Sequence, residues 1–167
     1  MQVAIISDVH NNLVNLEKVL KFCRQHQISQ LICCGDLASL ATLDFLSKNF
    51  TGQIYYSVGN MDEDQLATRA ENLNYPNIKI FVEYGEVELG AVKTAFTHFP
   101  EVARRLAKSG RYKAVFYGHT HIPWEELVGE CLLLNPGTVG GERYQPTFAV
   151  WQPQSNRREL IRIYDLT

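Results

Sequence analysis

The chain has 167 residues, 46% of them apolar and 20% charged, with a formal net charge of −2. That is the size of one domain with a self-sufficient core, and the mixed charges provide neither a basic footprint for nucleic-acid phosphates nor a cationic stripe for a membrane surface. No apolar run approaches the roughly 18 residues of a membrane span, and the first residues lack the basic region of a signal peptide, so a cytoplasmic protein is expected.

The chain opens with the apolar run VAII, a buried strand, followed by Ser7, Asp8, Val9 and His10. In a strand, residues i and i+2 point to the same face, so Asp8 and His10 are expected to converge on one point as the strand runs out, as two ligands to a metal would. Leu13, Leu16, Val19, Leu20 and Cys23 then recur at helical spacing behind Asn12, a candidate N-cap. QLICCGD reads as a strand, LATLDFLSKNF as a helix and QIYYSVGN as a third strand. This β-α-β-α-β alternation predicts a parallel sheet, whose ligands gather beyond the carboxyl ends of its strands. Asp8, His10, Asp36 and Asn60 all fall at such ends.

A polar helix is expected from Asp62 to Asn72, and after Tyr75-Pro76-Asn77 the pattern changes. IKIFVEY, EVEL and AVKTAFTH read as neighbouring strands turned at Gly85 and at Gly90-Ala91. Pro100 opens a helix that Gly110 closes. KAVFYGHTH, WEELVG, CLLLNPG, TFAVWQPQ and ELIRIYD complete the chain as five short strands. The order predicts an α/β fold in one domain over 1–167, a four-layer αββα sandwich of two mixed sheets with helices outside.

Four cysteines, Cys23, Cys33, Cys34 and Cys131, show no C-x-x-C spacing and are expected to be buried thiols in a reducing compartment. Of five histidines, His26 falls near a helix end, where it is expected to satisfy terminal carbonyls, whereas His10, His98, His119 and His121 fall at strand ends. With Asp8, Asp36 and Asn60 they make a mixed nitrogen and oxygen donor set of the kind that borderline divalent transition metals accept.

The motifs SDVHNN, CGD, VGNMD, FTH, GHTH and NPGT occur in an order that resembles the calcineurin-like metallophosphoesterases, within them the small bacterial and archaeal phosphodiesterases that share a fold with the retromer subunit Vps29. The resemblance implies a metal held by Asp8, His10 and His121, a second held by Asn60, His98 and His119, and Asp36 between them. It also implies direct catalytic roles for Asn60, His98 and Asp36, and hydrolysis of phosphate esters, most readily diesters, by a hydroxide bridging the metals. Manganese is the first candidate metal, with nickel, zinc or iron as others. A small phosphorylated molecule, nucleotides included, is the expected substrate. An exposed C-terminal edge strand offers a surface for a second copy.

The chain departs from that pattern at Met61, where the family's phosphatases carry a histidine, at Phe99, where glycine is usual, and at Asn11, another glycine position. Asn12 is kept, either as a helix cap or as a donor to substrate phosphate. Arg143, in a glycine-rich loop, is a further candidate for anion contact, and NPGT is expected to support the site. Phe96, Phe116 and Tyr117 are assigned to the core. The competing function is a Vps29-like scaffold that binds metal with little or no catalysis.

Overall fold

The computed structural model describes residues 1–62 and 75–166. The polar helix expected up to Asn72 therefore lies, beyond Asp62, outside the described residues. Strands β1 (Val3–Ile6), β2 (Gln30–Cys33), β3 (Gln53–Ser57) and β4 (Ile78–Phe81) run parallel. Helices α1 (Leu13–Gln25) and α2 (Leu40–Asn49) connect the first three. The hairpin β10 (Thr147–Gln152) and β11 (Arg157–Arg162) joins the free side of β1 antiparallel, giving a six-stranded sheet in the order β11-β10-β1-β2-β3-β4. A five-stranded sheet, β5-β6-β7-β9-β8, comprises β5 (Tyr84–Leu89), β6 (Val92–Thr97), β7 (Ala114–Phe116), β9 (Cys131–Asn135) and β8 (Trp124–Val128). Helix α3 (Pro100–Lys108) links β6 to β7. Among the described residues no helix is long and apolar enough to cross a membrane.

Side-chain alternation distributes each strand between two layers. Val3 and Ile5 of β1, Ile32 of β2, Phe96 of β6, Phe116 of β7, Leu132 and Leu134 of β9, and Trp151 of β10 meet between the sheets. Their neighbours Ala4, Ile6, Leu31, Phe148 and Val150 face the other way, onto Leu16, Val19, Leu20, Leu43 and Leu46 of α1 and α2. Ala95, Val115 and Leu133 meet Ala103, Leu106 and Ala107 of α3. This double burial explains why β1, β2, β7 and β9 read as continuous apolar runs. Two mixed sheets flanked by helices form the expected four-layer sandwich.

Three local expectations change. Gly85 makes no turn: it lies within β5 opposite Phe96, and a Cβ there would stand 2.1 Å from the Phe96 ring. Consequently β4 and β5 separate after Phe81, β4 joining β3 in one sheet while β5 pairs with β6 in the other. The tight turn falls at Gly90 and Ala91, with φ of 57° and 65°, the left-handed pair of a two-residue hairpin. His26 does end α1, but through its backbone N–H to the Phe22 carbonyl, while its ring stacks on Phe22. Phe96, Phe116 and Tyr117 are buried, and Gly110 follows α3 with φ of 71°.

Gly85→Ala is expected to destabilise the fold by about 1–3 kcal/mol, because Phe96 is fully buried between the sheets and has no free volume to retreat into. The midpoint of urea unfolding at unchanged slope measures this.

Candidate metal centre

β1, β2, β3, β6 and β7 all end at one rim of the sandwich, and the loops that follow them deliver the candidate ligands. The Asp8 and His10 side chains do not converge by strand alternation. β1 stops at Ile6, and Asp8, His10 and Asn11 adopt φ of 53°, 47° and 61°. Asp36, His119 and His121 are likewise left-handed. Asp, Asn and His tolerate this region better than most residues, yet each instance costs free energy and persists only where the surroundings fix it. Here the loops fix each other: the N–H groups of Val9 and His10 donate to the Asp36 carbonyl, and that of Asn11 to the Leu37 carbonyl. Glycine admits the close approach, since a Cβ at Gly59 would lie 2.2 Å from Asp36 Oδ1 and one at Gly118 would lie 1.9 Å from Ser7 Oγ.

The donor atoms form two groups. His121 Nε2 is 3.1 Å and His10 Nε2 3.7 Å from Asp8 Oδ1, and the two nitrogens are 3.2 Å apart. Across the rim, Asn60 Oδ1 is 3.0 Å from both His98 Nε2 and His119 Nδ1, which are 3.2 Å apart. Asp36 Oδ2 stands 3.9 Å from His10 Nε2 and 3.4 Å from His98 Nε2, between the groups. Asp8, Asp36 and His98 also lie close enough to share an ion. Burial works against ionisation of Asp8, but the imidazoles of His10 and His121 beside it hold its carboxyl below the usual range. For Asp36 burial prevails over the charge of His98 and the Met61 N–H, and its carboxyl is pushed up. Asp8 in turn raises His10, although burial opposes it.

These residues fit a divalent cation. The Cys34 carbonyl can only accept, so His98 donates to it from Nδ1 at 2.8 Å, and whenever the ring carries a single proton its Nε2 lone pair is the atom that faces Asn60 Oδ1 and Asp36 Oδ2. Acceptors face acceptors there, an arrangement that a cation relieves. Asp8 Oδ1 is buried without a hydrogen-bond partner. Metal–nitrogen bonds of about 2.0–2.1 Å set ligand atoms roughly 3.0–3.4 Å apart, the spacing found throughout the Asn60 group and between His121 and its two neighbours in the Asp8 group, where only the His10–Asp8 separation of 3.7 Å is wider.

Most of the supporting residues are marked in the sequence, but Asp62 reads there only as the start of a helix. Asp62, 1% exposed, accepts from the N–H groups of Asp36 at 2.7 Å and Gly59 at 2.9 Å through one oxygen, and of Ala38 at 2.8 Å through the other. It anchors the loops after β2 and β3, and with both oxygens engaged it is not a proton donor. Asn135 of NPGT donates to the Gly118 carbonyl, and Thr138 donates to the Asp8 carbonyl, so this motif supports the site from behind. Asn12 caps α1 through Oδ1 and donates to the Gly140 carbonyl, leaving one amide hydrogen uncommitted. Phe99 packs edge-on against the His98 ring, their centroids 5.1 Å apart. Met61 is 55% exposed, with its N–H donating to Asp36 Oδ1. Asn11 Oδ1 accepts from Thr42 Oγ1 at 2.7 Å, and Arg143 is exposed.

Comparison with known proteins agrees with this geometry. A phosphodiesterase of Methanocaldococcus jannaschii is 31% identical over 145 residues, covering 84% of this chain and 86% of the relative. The phosphodiesterase YfcE of Escherichia coli K12 is 27% identical over 157 residues, covering 83% and 79%. The solved structure of an archaeal phosphodiesterase superposes with a TM-score of 0.85 at 29% identity, over 97% of this chain and 99% of that one. Vps29 of Chaetomium thermophilum, with a TM-score of 0.68 at 17% identity over 96% and 91%, shares the fold. The model of the calcineurin-like phosphoesterase superfamily domain matches residues 1–156, from β1 to the turn before β11 and thus through every loop at the rim. The chain belongs to the calcineurin-like phosphoesterase superfamily.

Proposed function

We propose that this protein hydrolyses small phosphodiesters with two divalent metal ions held at the strand-end rim. The supporting observation is the pair of donor groups, each with ligand-like spacing, that meet at Asp36. In this assignment Asp8, His10 and His121 hold one ion, Asn60, His98 and His119 the other, and Asp36 serves both. When bound, two such ions supply Lewis acidity to the attacking and leaving oxygens and bring a water's pKa to about 7. Manganese is our first candidate, with nickel, zinc and iron to be tested beside it. Four free, buried cysteines suit the cytoplasm, where we place the protein.

The remaining chemistry belongs to side chains. The His98 Nδ1–H is held by the Cys34 carbonyl, which fixes the ring and aims Nε2 inward. Asn60 turns Oδ1 toward the two imidazoles, so its amide hydrogens are free to meet substrate oxygen; the spare hydrogen of Asn12 is a second such donor. Phe99 restricts the His98 ring from the side. At Met61 a thioether offers no proton, and Asp62 has none to give, so a leaving alkoxide departs without side-chain general acid help. That favours esters with acidic leaving groups. A scaffold that binds metal without turnover is the competing function; metal-depleted protein reloaded with each metal and assayed on a monoester and a diester of the same leaving group separates the two, absence of turnover with every metal favouring the scaffold.

Asp36→Asn is expected to reduce metal content from two ions per chain to fewer than one, since a shared carboxylate has no substitute nearby. Elemental analysis of the purified variant is the check, and wild-type protein that saturates at one ion would count against the assignment. Asp62→Asn should weaken metal affinity by about 10–100-fold, because its amide would present hydrogens to N–H groups that now find an oxygen; calorimetric titration measures it. Met61→His should raise the rate on alkyl esters by up to about 10²–10⁴-fold and change p-nitrophenyl esters little. A plot of log rate against leaving-group pKa tests this, a shallow slope for the wild type meaning that another acid already acts.

A further inference from the structure

Among the described residues, one flank of the sandwich is left open. On the opposite flank β4 and β5 are the edge strands, and on this one β8 and β11 are. In antiparallel pairs, directly opposed residues project from the same face. Leu127 and Glu125 of β8 oppose Leu132 and Leu134, while Leu160 and Arg158 of β11 oppose Ala149 and Trp151. All four partners belong to the cluster between the sheets. Leu127 and Leu160 therefore point toward the inter-sheet space like core residues, yet they are 62% and 49% exposed. A groove of about 180 Å³ runs between the strands, lined by Trp124, Leu134, Ala149 and Leu160 and bridged by Glu125 and Arg158.

The charges on the flank indicate what covers it. β11 carries Arg157, Arg158, Glu159 and Arg162, and β8 carries Glu125 on this side and Glu126 turned to Arg104 of α3, so one sheet edge has a basic excess and the other is acidic. Arg158 spans the groove to Glu125 with contacts of 2.9 and 3.0 Å. Such a pair is complementary to its own image: a half-turn about an axis through its middle sets each guanidinium over the other copy's carboxylate. An isologous contact requires this self-complementarity, whereas a polyanion would meet the glutamates and a polycation the arginines. We propose that the β8–β11 flank is a two-fold interface between two copies of this chain, with Leu127 and Leu160 of both buried at its centre and the Glu125–Arg158 pairs joined into a four-charge ring.

Sedimentation velocity of the purified full-length protein over a concentration series should show a dimer. Leu127→Lys and Leu160→Lys, at exposed positions where the fold is not at risk, should each raise the dimer dissociation constant by roughly 10-fold or more. Glu125→Arg and Arg158→Glu should each be monomeric alone, since like charges then meet across the axis, and should form a heterodimer when mixed. Circular dichroism of each variant verifies the fold. A wild type that stays monomeric at every concentration would overturn the proposal and assign the groove to some other occupant. So would a dimer unaffected by these four changes, or charge-reversed variants that fail to combine.

Discussion

The arrangement at the rim is dominated by one electrostatic constraint: lone pairs are held against lone pairs. His98 Nε2, Asn60 Oδ1 and Asp36 Oδ2 face one another, and Asp8 Oδ1 is buried with no partner. A chain free to relax would turn these groups toward donors, because unpaired buried acceptors cost about 1–3 kcal/mol each. Braces behind the site hold several of them in place. The Cys34 carbonyl fixes the His98 ring, Asp62 fixes the backbone of Asp36 and Gly59, and Thr138 and Gly140 fix the carbonyl of Asp8. The two sheets act as the rigid base for this bracing, which is why strand ends from both are needed.

The architecture was legible because the parts of the chain that set it obey local rules. Apolar runs of strand length mark β1, β2, β7 and β9, and the three- and four-residue spacing from Leu13 to Cys23 marks α1. The candidate ligands were legible for a different reason: histidines, carboxylates and an asparagine gather at strand ends, where a solvated surface would scatter them. The hidden parts depend on contacts distant in sequence. Gly85 resembles a turn residue until Phe96, eleven positions on, is placed against it. Asp62 resembles a helix-starting acid until the loop at Asp36 closes over it. The left-handed conformations at Asp8 and His10 have no local signal, since the same residues suit an extended strand.

Asn12 and His26 illustrate a related limit. In each case sequence inspection identified a helix terminus correctly but could not say which atom serves it. At Asn12 the side-chain oxygen is the cap and the amide reaches across to Gly140, 128 positions away. At His26 the backbone N–H does the capping, which frees the ring to stack on Phe22. Composition indicates where a polar group is useful, whereas tertiary structure decides which of its donors and acceptors are spent.

The same distinction separates the positions at the rim that tolerate change from those that do not. Gly59 and Gly118 have no room for a Cβ, and the oxygens of Asp62 have no capacity left, so any substitution there disturbs the ligand loops directly. Met61 is different: what it gives the site is its backbone N–H to Asp36, a contribution independent of the side chain, which stands exposed to solvent. The side chain next to the donor groups can therefore vary in proton chemistry without disturbing the spacing of the donor atoms. Phe99 occupies a third category, because its φ of −90° requires no glycine and its ring acts only by packing on His98. The candidate ligand positions and the side chains beside them are thus mechanically separate in this fold, and the full donor set can be kept while the neighbouring side chains are exchanged.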